Sequence, residues 1–413
     1  MKTLAALALL ATIPTTAHAQ RCAPNNAGLT LPRGFCATLF ADSLSGARHM
    51  AVAPNGDVFV AALGGRGAGG GIFALRDTNH DGVADVRVRI ADFSSSEVRL
   101  FDGYLYAENG TGVVRWRLPA GQLRPTGPMD TIVKNLPPGG NHFLKTFVID
   151  RNGVLYVNVG TATNACQPKD RQPGVPGADP CVERETRGGI WKFDARKLDQ
   201  TQAMGEHYAV GIRNSVGMDV SPMDNTLWVM QHGRDQLNLW PEYNDRASAE
   251  SPAEELIHVK EGGDYGWPYC YFDVPKAKLL LAPEYGGHDD RQGRCADVLG
   301  PVATFPAHWA PNGLLFYRGG NFPARYRDGV FIAFHGSWNR APEPQAGYRV
   351  VFQPLRNNRA AGPREDFVTG LFANGKPTAL GGRPTGLAEG PNGGLYVADD
   401  LHGRIWRVEY AGR

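Results

Sequence analysis

The sequence predicts an all-β chain, a six-bladed β-propeller with long loops on one face. Three observations carry this expectation. The 413 residues include 52 glycines and 30 prolines, about a fifth of the chain, against roughly 12% in average usage. Helix interiors tolerate neither residue well, so turns must be frequent. A turn with Gly or Asn followed by an apolar strand recurs six times: PNGDVFVA (54–61), FDGYLYA (101–107), RNGVLYVNVG (151–160), DNTLWVMQ (224–231), RDGVFIAF (327–334) and PNGGLYVAD (391–399). Amphipathic helices are scarce, with at most a turn or two over DARKLDQ (194–200). The first two intervals between copies, roughly 47 and 50 residues, suit one four-stranded blade each. Repetition over the whole length explains the turn count and the absence of an interdomain linker better than a pair of sandwiches.

Taken in chain order, residues 1–19 read as a secretory signal peptide: Lys2 supplies the positive start, Leu4 to Ile13 the apolar stretch, and Ala17-His18-Ala19 the small-x-small cleavage site. The apolar run is too short to span a membrane, and no later segment is long enough. Residues 20–413 are then expected as one propeller domain, placed in the periplasm or secreted. All six cysteines follow that point, and an even count in an oxidising compartment points to disulfides. Six cysteines allow 15 pairings; order along the chain favours Cys22–Cys36, Cys166–Cys181 and Cys270–Cys295, each clipping an irregular segment. Their spacing matches neither a CxxC metal site nor a CxxCH haem site. Later repeat intervals lengthen through Gly/Pro-rich stretches such as QPKDRQPGVPGADP (167–180), read as long loops. The strand GRIWRVEY (403–410) is expected to close the ring against an N-terminal strand.

Charge excludes other functions. Lys plus Arg (43) against Asp plus Glu (41) leaves +2, so nothing argues for nucleic acid or an anionic membrane. There is no Walker loop, no GxGxxG opening a helix, no GxSxG elbow and no HExxH.

Candidate chemistry sits just before predicted strands. In GGNHFLKTFVID (139–150), His142 would stand where a blade meets one face; a neutral imidazole there can take a proton from an alcohol near neutral pH. Lys145 brings positive charge. In GIRNSVGMDV (211–220), Arg213 and Asn214 offer a donor fork and an amide to a carboxylate or quinone oxygen. Arg383 in GGRPTGLAEG (381–390) has the same setting, and Arg340 in HGSWNR (335–340) is a third arginine. Arginines converging on the axis form an anion site; the bland alternative is bonding to blade carbonyls. QHGRDQL (231–237) contains a His-Gly turn that exposes carbonyls to a hard cation. DTNHDGVAD (77–85) places Asp77, Asn79, Asp81 and Asp85 as in the first half of an EF-hand loop, with Gly82 at the sixth position; Val88 replaces the bidentate Glu. A structural calcium site and a solvated hairpin loop both fit it.

These segments, with AEELIHVKEGGDYGWPYC (253–270), FHGSWNRAPEPQAGYRVV (334–351) and GRPTGLAEGPNGGLYVADD (382–400), resemble the pyrroloquinoline-quinone (PQQ)-dependent sugar dehydrogenases. The similarity runs from about residue 34 to the C-terminus and lies nearest the sorbosone and pyranose dehydrogenase branches, more distantly soluble glucose dehydrogenase. It implies a six-bladed propeller with PQQ lying flat near the axis and calcium bridging it to the carbonyls of Gly233 and Arg234. His142 matches the family's general base and Arg213 the arginine near the reactive quinone oxygen. Asn214 and Arg383 match cofactor-binding positions; Trp338, Asn339 and Arg340 align near a cofactor-contacting loop. The sequence departs from soluble glucose dehydrogenase at three positions: Thr161 stands where an aspartate orients the base, Asn141 precedes the base in place of Asp, and Arg234 replaces a proline. The resemblance implies a sugar or sorbosone-like aldehyde as substrate and, with no haem motif, an external electron acceptor such as a cytochrome or quinone. Two other readings remain open: a metal-dependent lactonase, and a non-catalytic propeller binding a glycan or protein.

Overall fold

Each of the six turn-and-strand repeats becomes the second strand of a separate antiparallel sheet: Val58–Gly65, Tyr104–Glu108, Val154–Val159, Leu227–Gln231, Gly329–Phe334 and Leu395–Asp399. The computed structural model describes residues 22–65, 68–288 and 290–412; the expected signal peptide lies outside the described residues. Ahead of each repeat lies the first strand of its blade, Ala47–Val52, Val98–Phe101, Phe147–Ile149, Ser215–Val220, Pro311–Phe316 and Pro384–Glu389. These six strands touch one another in a closed circle around the axis. The molecule is the expected six-bladed β-propeller, numbered here from blade 1 (first strand Ala47–Val52) to blade 6 (first strand Pro384–Glu389).

The ring closes as expected. Phe35–Ala41 supplies the fourth strand of blade 6 and pairs antiparallel with Arg404–Tyr410, Phe35 opposite Tyr410 and Leu39 opposite Trp406. Closure removes the exposed edge that an open array of sheets would present. The second strands are apolar on both faces because each blade is covered on both sides: all six residues of Gly329–Phe334 are buried. Neighbouring blades enclose apolar clusters, with Phe59 and Leu105 between blades 1 and 2, Leu155 and Trp191 packed with Tyr106 between 2 and 3, and Phe331 and Trp406 between 5 and 6.

Among the described residues helix is nearly absent. The segment 194–200 forms a turn, not the expected turn or two of helix: Asp194 ends a strand, its carboxylate accepts from Arg196 N, and the Gln200 side chain takes the backbone groups of Asp194 and Lys197. Side chains that capture local backbone in this way compete with helix. A short helix at Asp245–Glu250 is capped by Asn244, whose Oδ1 accepts from Ala247 N.

All three expected disulfides form, with Cα separations of 5.7, 6.1 and 5.7 Å for Cys22–Cys36, Cys166–Cys181 and Cys270–Cys295. The last two share an apolar cluster with Trp267 and Tyr269, so the long loops carry a small core of their own. Opening Cys166–Cys181 by a Cys166→Ser, Cys181→Ser double substitution is expected to cost about 3 kcal/mol, the loop-closure value for 15 residues. A lowered melting temperature in calorimetry checks it; an unchanged one refutes it.

Candidate active site

The starts of the first strands and the ends of the second strands lie on the same face, and the sequence candidates gather there. His142 precedes blade 3, Arg213 and Asn214 precede blade 4, and Gly233 to Asp235 follow the second strand of blade 4. A cavity of about 300 Å³ opens between them, lined among others by His142, Arg213, Gly233, Asp235 and Trp338.

His142 is held on one side only. Its backbone N–H donates to Thr161 O (3.0 Å), and its Nδ1 lies 2.8 Å from Thr161 Oγ1 and 3.1 Å from Thr161 O. The Thr161 hydroxyl donates to Thr163 O at 2.7 Å, so toward the ring it can only accept, as the carbonyl must. Nδ1 therefore carries the proton and Nε2 keeps its lone pair. Burial, with the Arg213 guanidinium next in weight, holds the imidazole well below its ordinary range, so it is neutral at physiological pH. Gly160 is required beside it: a Cβ there would lie 2.7 Å from His142 Cβ and 3.1 Å from Asn214 Oδ1.

Arg213 is buried and nearly saturated. Nη1 donates to Gly233 O (2.9 Å), Nη2 to Asn164 Oδ1 (2.9 Å) and Asp235 Oδ2 (3.1 Å), and Nε to Asn164 O (3.3 Å). Asp235 also accepts from Arg171 (3.0 Å) and Asn339 (2.8 Å). Burial opposes its charge, but Arg213 and Arg171 overcome that and keep the carboxyl well below the usual carboxylate range. Asn214 is buried with its Oδ1 unpartnered, an acceptor that costs free energy unless a ligand meets it. Glu254 joins the Gly233 turn to blade 5 by accepting from Gly233 N and Ala310 N, and burial pushes its carboxyl up to about 7.

Trp338 is 71% exposed and stands at the cavity rim. Arg383 lies nearby in blade 6, where it meets Asp400 (2.9 Å) together with Arg48 and His335, each 3.1 Å from that carboxylate. Lys145, Arg340, Arg383 and Asn214 do not line the cavity. Lys145 is wholly buried and donates to Phe143 O (2.7 Å), its ammonium pushed down to about 8 by burial; Arg340 donates to the carbonyls of Ala249, Ala307 and Pro344. The Gly233 carbonyl accepts from Arg213, while the Arg234 side chain pairs with Glu284. In the 77–85 loop, Asp77 and Asp81 accept from the backbone N–H groups of Asp81, Gly82 and Val83, and Asp85 accepts from Thr78. Among the described residues, no group of three or more His, Cys, Asp or Glu side chains could hold a metal.

Sequence reasoning missed Asn164, Arg171, Asp235, Arg48, His335 and Asp400. Asp235 and His335 lay inside quoted motifs, as the residue after His-Gly-Arg and the first of HGSWNR. Asn164 and Arg171 lie in or beside the disulfide-clipped loop, where no motif marks them. The cavity brings a free imidazole nitrogen together with the guanidinium groups of the buried Arg213 and the partly exposed Arg171, which fits an anionic, hydrogen-bonding ligand next to a proton acceptor.

The chain is similar to curated proteins of known name. It is 26% identical over 234 residues to the aldose sugar dehydrogenase YliI of Escherichia coli (strain K12), covering 54% of this chain and 53% of that one. It is 25% identical over 309 residues to the pyrroloquinoline quinone-dependent pyranose dehydrogenase of Coprinopsis cinerea, covering 65% of this chain and 39% of that one. The chain thus matches only about half or less of these relatives' length. Its fold is that of the holo pyranose dehydrogenase PQQ domain of Coprinopsis cinerea, with a TM-score of 0.73 at 19% identity over 92% of this chain and 97% of that one. The family model described as TrAA12-like matches residues 29–411, and the chain belongs to the TrAA12-like family.

Proposed function

We propose that this chain is a PQQ- and calcium-dependent dehydrogenase that oxidises a sugar, an aldose or pyranose or a sorbosone-like aldehyde, and passes the electrons to an external cytochrome or quinone. The observation that carries the reading is the His142 imidazole, locked with its Nε2 lone pair free in a cavity beside the buried Arg213. In this reading residues 1–19 direct export to the periplasm or the exterior, and residues 20–413 form the mature single-domain propeller; the disulfides and the absence, among the described residues, of any helix long and apolar enough to cross a membrane agree with it.

The residues present fit the quinone. PQQ carries three carboxylates, and Arg48, Arg213 and Arg383 supply cationic groups, while the unpartnered Asn214 Oδ1 supplies a polar contact. Calcium would rest on the carbonyls of Gly233 and Arg234; the Gly233 oxygen already accepts from Arg213 Nη1 and keeps a second lone pair. When bound, PQQ supplies the hydride acceptor and calcium the Lewis acid that polarises it. The chain's own part is positional and acid–base. His142 Nε2 accepts the proton of the substrate hydroxyl, Thr161 holds the proton on Nδ1, and Trp338 offers an apolar face at the mouth to a sugar ring.

Reconstitution tests the proposal. Purified protein supplied with PQQ and calcium is expected to reduce a redox dye when offered sugars and aldehydes. No dye reduction across the panel together with no PQQ binding in titration overturns it. Lactone hydrolysis without quinone would favour the lactonase reading, and glycan or protein binding that survives His142→Ala, without turnover, the binding reading.

A further inference from the structure

The grip on His142 does not end at Thr161. The Thr161 hydroxyl has its direction set by Thr163 O, and residues 162–163 are in turn held by the Glu183 carboxylate. Glu183 Oε1 accepts from the backbone N–H groups of Ala162 and Thr163, and Oε2 accepts from Thr163 Oγ1 at 2.7 Å. Thr163 Oγ1 also accepts from Cys166 N at 2.8 Å. Thr161 is fully buried, so its own hydroxyl is shielded from water, while Ala162, Thr163 and Glu183 are partly exposed. We infer that Thr161 and Glu183 are the positioning residues of the base: Thr161 fixes the proton on His142 Nδ1 through two neutral oxygens, and Glu183 acts only through Thr161 by fixing the peptide that aims its hydroxyl. Among the described residues no carboxylate hydrogen-bonds the imidazole, and the Glu183 charge stands behind a hydroxyl and a peptide group. The inference rests on the dehydrogenase reading for its kinetic part and is independent of it for its structural part.

The test uses the full chain with ¹⁵N-labelled histidine. In cofactor-free wild type, NMR is expected to show His142 as a single tautomer protonated on Nδ1. Thr161→Val, close in shape but without a hydroxyl, is expected to add the Nε2–H tautomer as a second population. In protein reconstituted with PQQ and calcium it should lower kcat about tenfold with the sugar KM unchanged, and Thr161→Ser should recover most of that loss. Glu183→Gln should shift both readouts in the same direction, and the Thr161→Val, Glu183→Gln double variant should be no worse than Thr161→Val alone, because residues acting through one another are not additive. Melting temperatures confirm that each variant is folded. Additive losses, or a single unchanged tautomer in folded Thr161→Val, overturn the inference. If wild type binds no quinone and oxidises nothing, the dehydrogenase reading fails, and the tautomer measurements alone decide this one.

Discussion

Replacing His142 with alanine is expected to lower turnover about 10²- to 10⁴-fold, the contribution of a positioned general base. Quinone affinity should change little, because the cationic groups stand on Arg48, Arg213 and Arg383, and their bonds to Asp400, Asp235 and Gly233 do not involve the imidazole. Steady-state kinetics and quinone titration on the same preparation separate the two effects; a loss of binding equal to the loss of turnover would make His142 a ligand contact. The wild-type pH profile follows from the same side chain. Its folded pKa lies well below 6.5, and in the proposed function the neutral form is the base. Falling pH therefore leaves this group active through pH 6.5, with its acid limb lower still. Stability takes the same sign: an unfolded histidine binds a proton near 6.5 and the folded one does not, so the folded state loses stability as pH falls below that value. A measured acid limb above pH 6.5 would assign the base to another group.

Asp235→Ala is expected to be the most destabilising single change at the site. It leaves Arg213, with only 4% of its side chain exposed, without its carboxylate, and breaking a buried pair by removing one partner costs about 3–5 kcal/mol. Arg171 and Asn339 lose the same partner. Denaturant unfolding reads the loss directly. Asp235→Asn keeps the shape and an acceptor for one of the donors, and should fall between the two. The aspartate's depressed pKa gives a matching acid dependence: its stabilisation is present above the unfolded value near 3.9 and is lost as pH falls through the lower folded value. If Asp235→Ala melts like wild type, the Arg213 charge is compensated elsewhere and the anion-site account loses its anchor.

The architecture was legible in the sequence because propeller blades repeat. A Gly or Asn turn before an apolar run marks the same hairpin six times, and each run proved to be a second strand. Ring closure was legible for a related reason: a last strand without a following partner must find one at the other end of the chain. His142, Arg213 and Asn214 were legible as polar residues placed just before first strands. Arg171, Asn164 and Asp400 were not, because their roles come from loops folded across the top and from contacts such as Asn164 with Asp235, 71 residues apart. Lys145 shows the opposite failure. Its charge suggested a ligand contact, but three residues after His142 the chain is already entering the blade, and the ammonium turns inward to Phe143 O.

The pairing of Phe35–Ala41 with Arg404–Tyr410 has a consequence for biosynthesis. Blade 6 takes its outer strand from residues 35–41 and its other three from residues 384–410, so the native ring cannot close before residue 410 has been made. Until residue 410 has emerged, the strand at 35–41 has no partner and the nascent chain holds an open sheet. Closure is thus the last step in building the ring, and a chain cut after residue 403 would be left as an arc with two bare edges, ready to pair with another copy of itself.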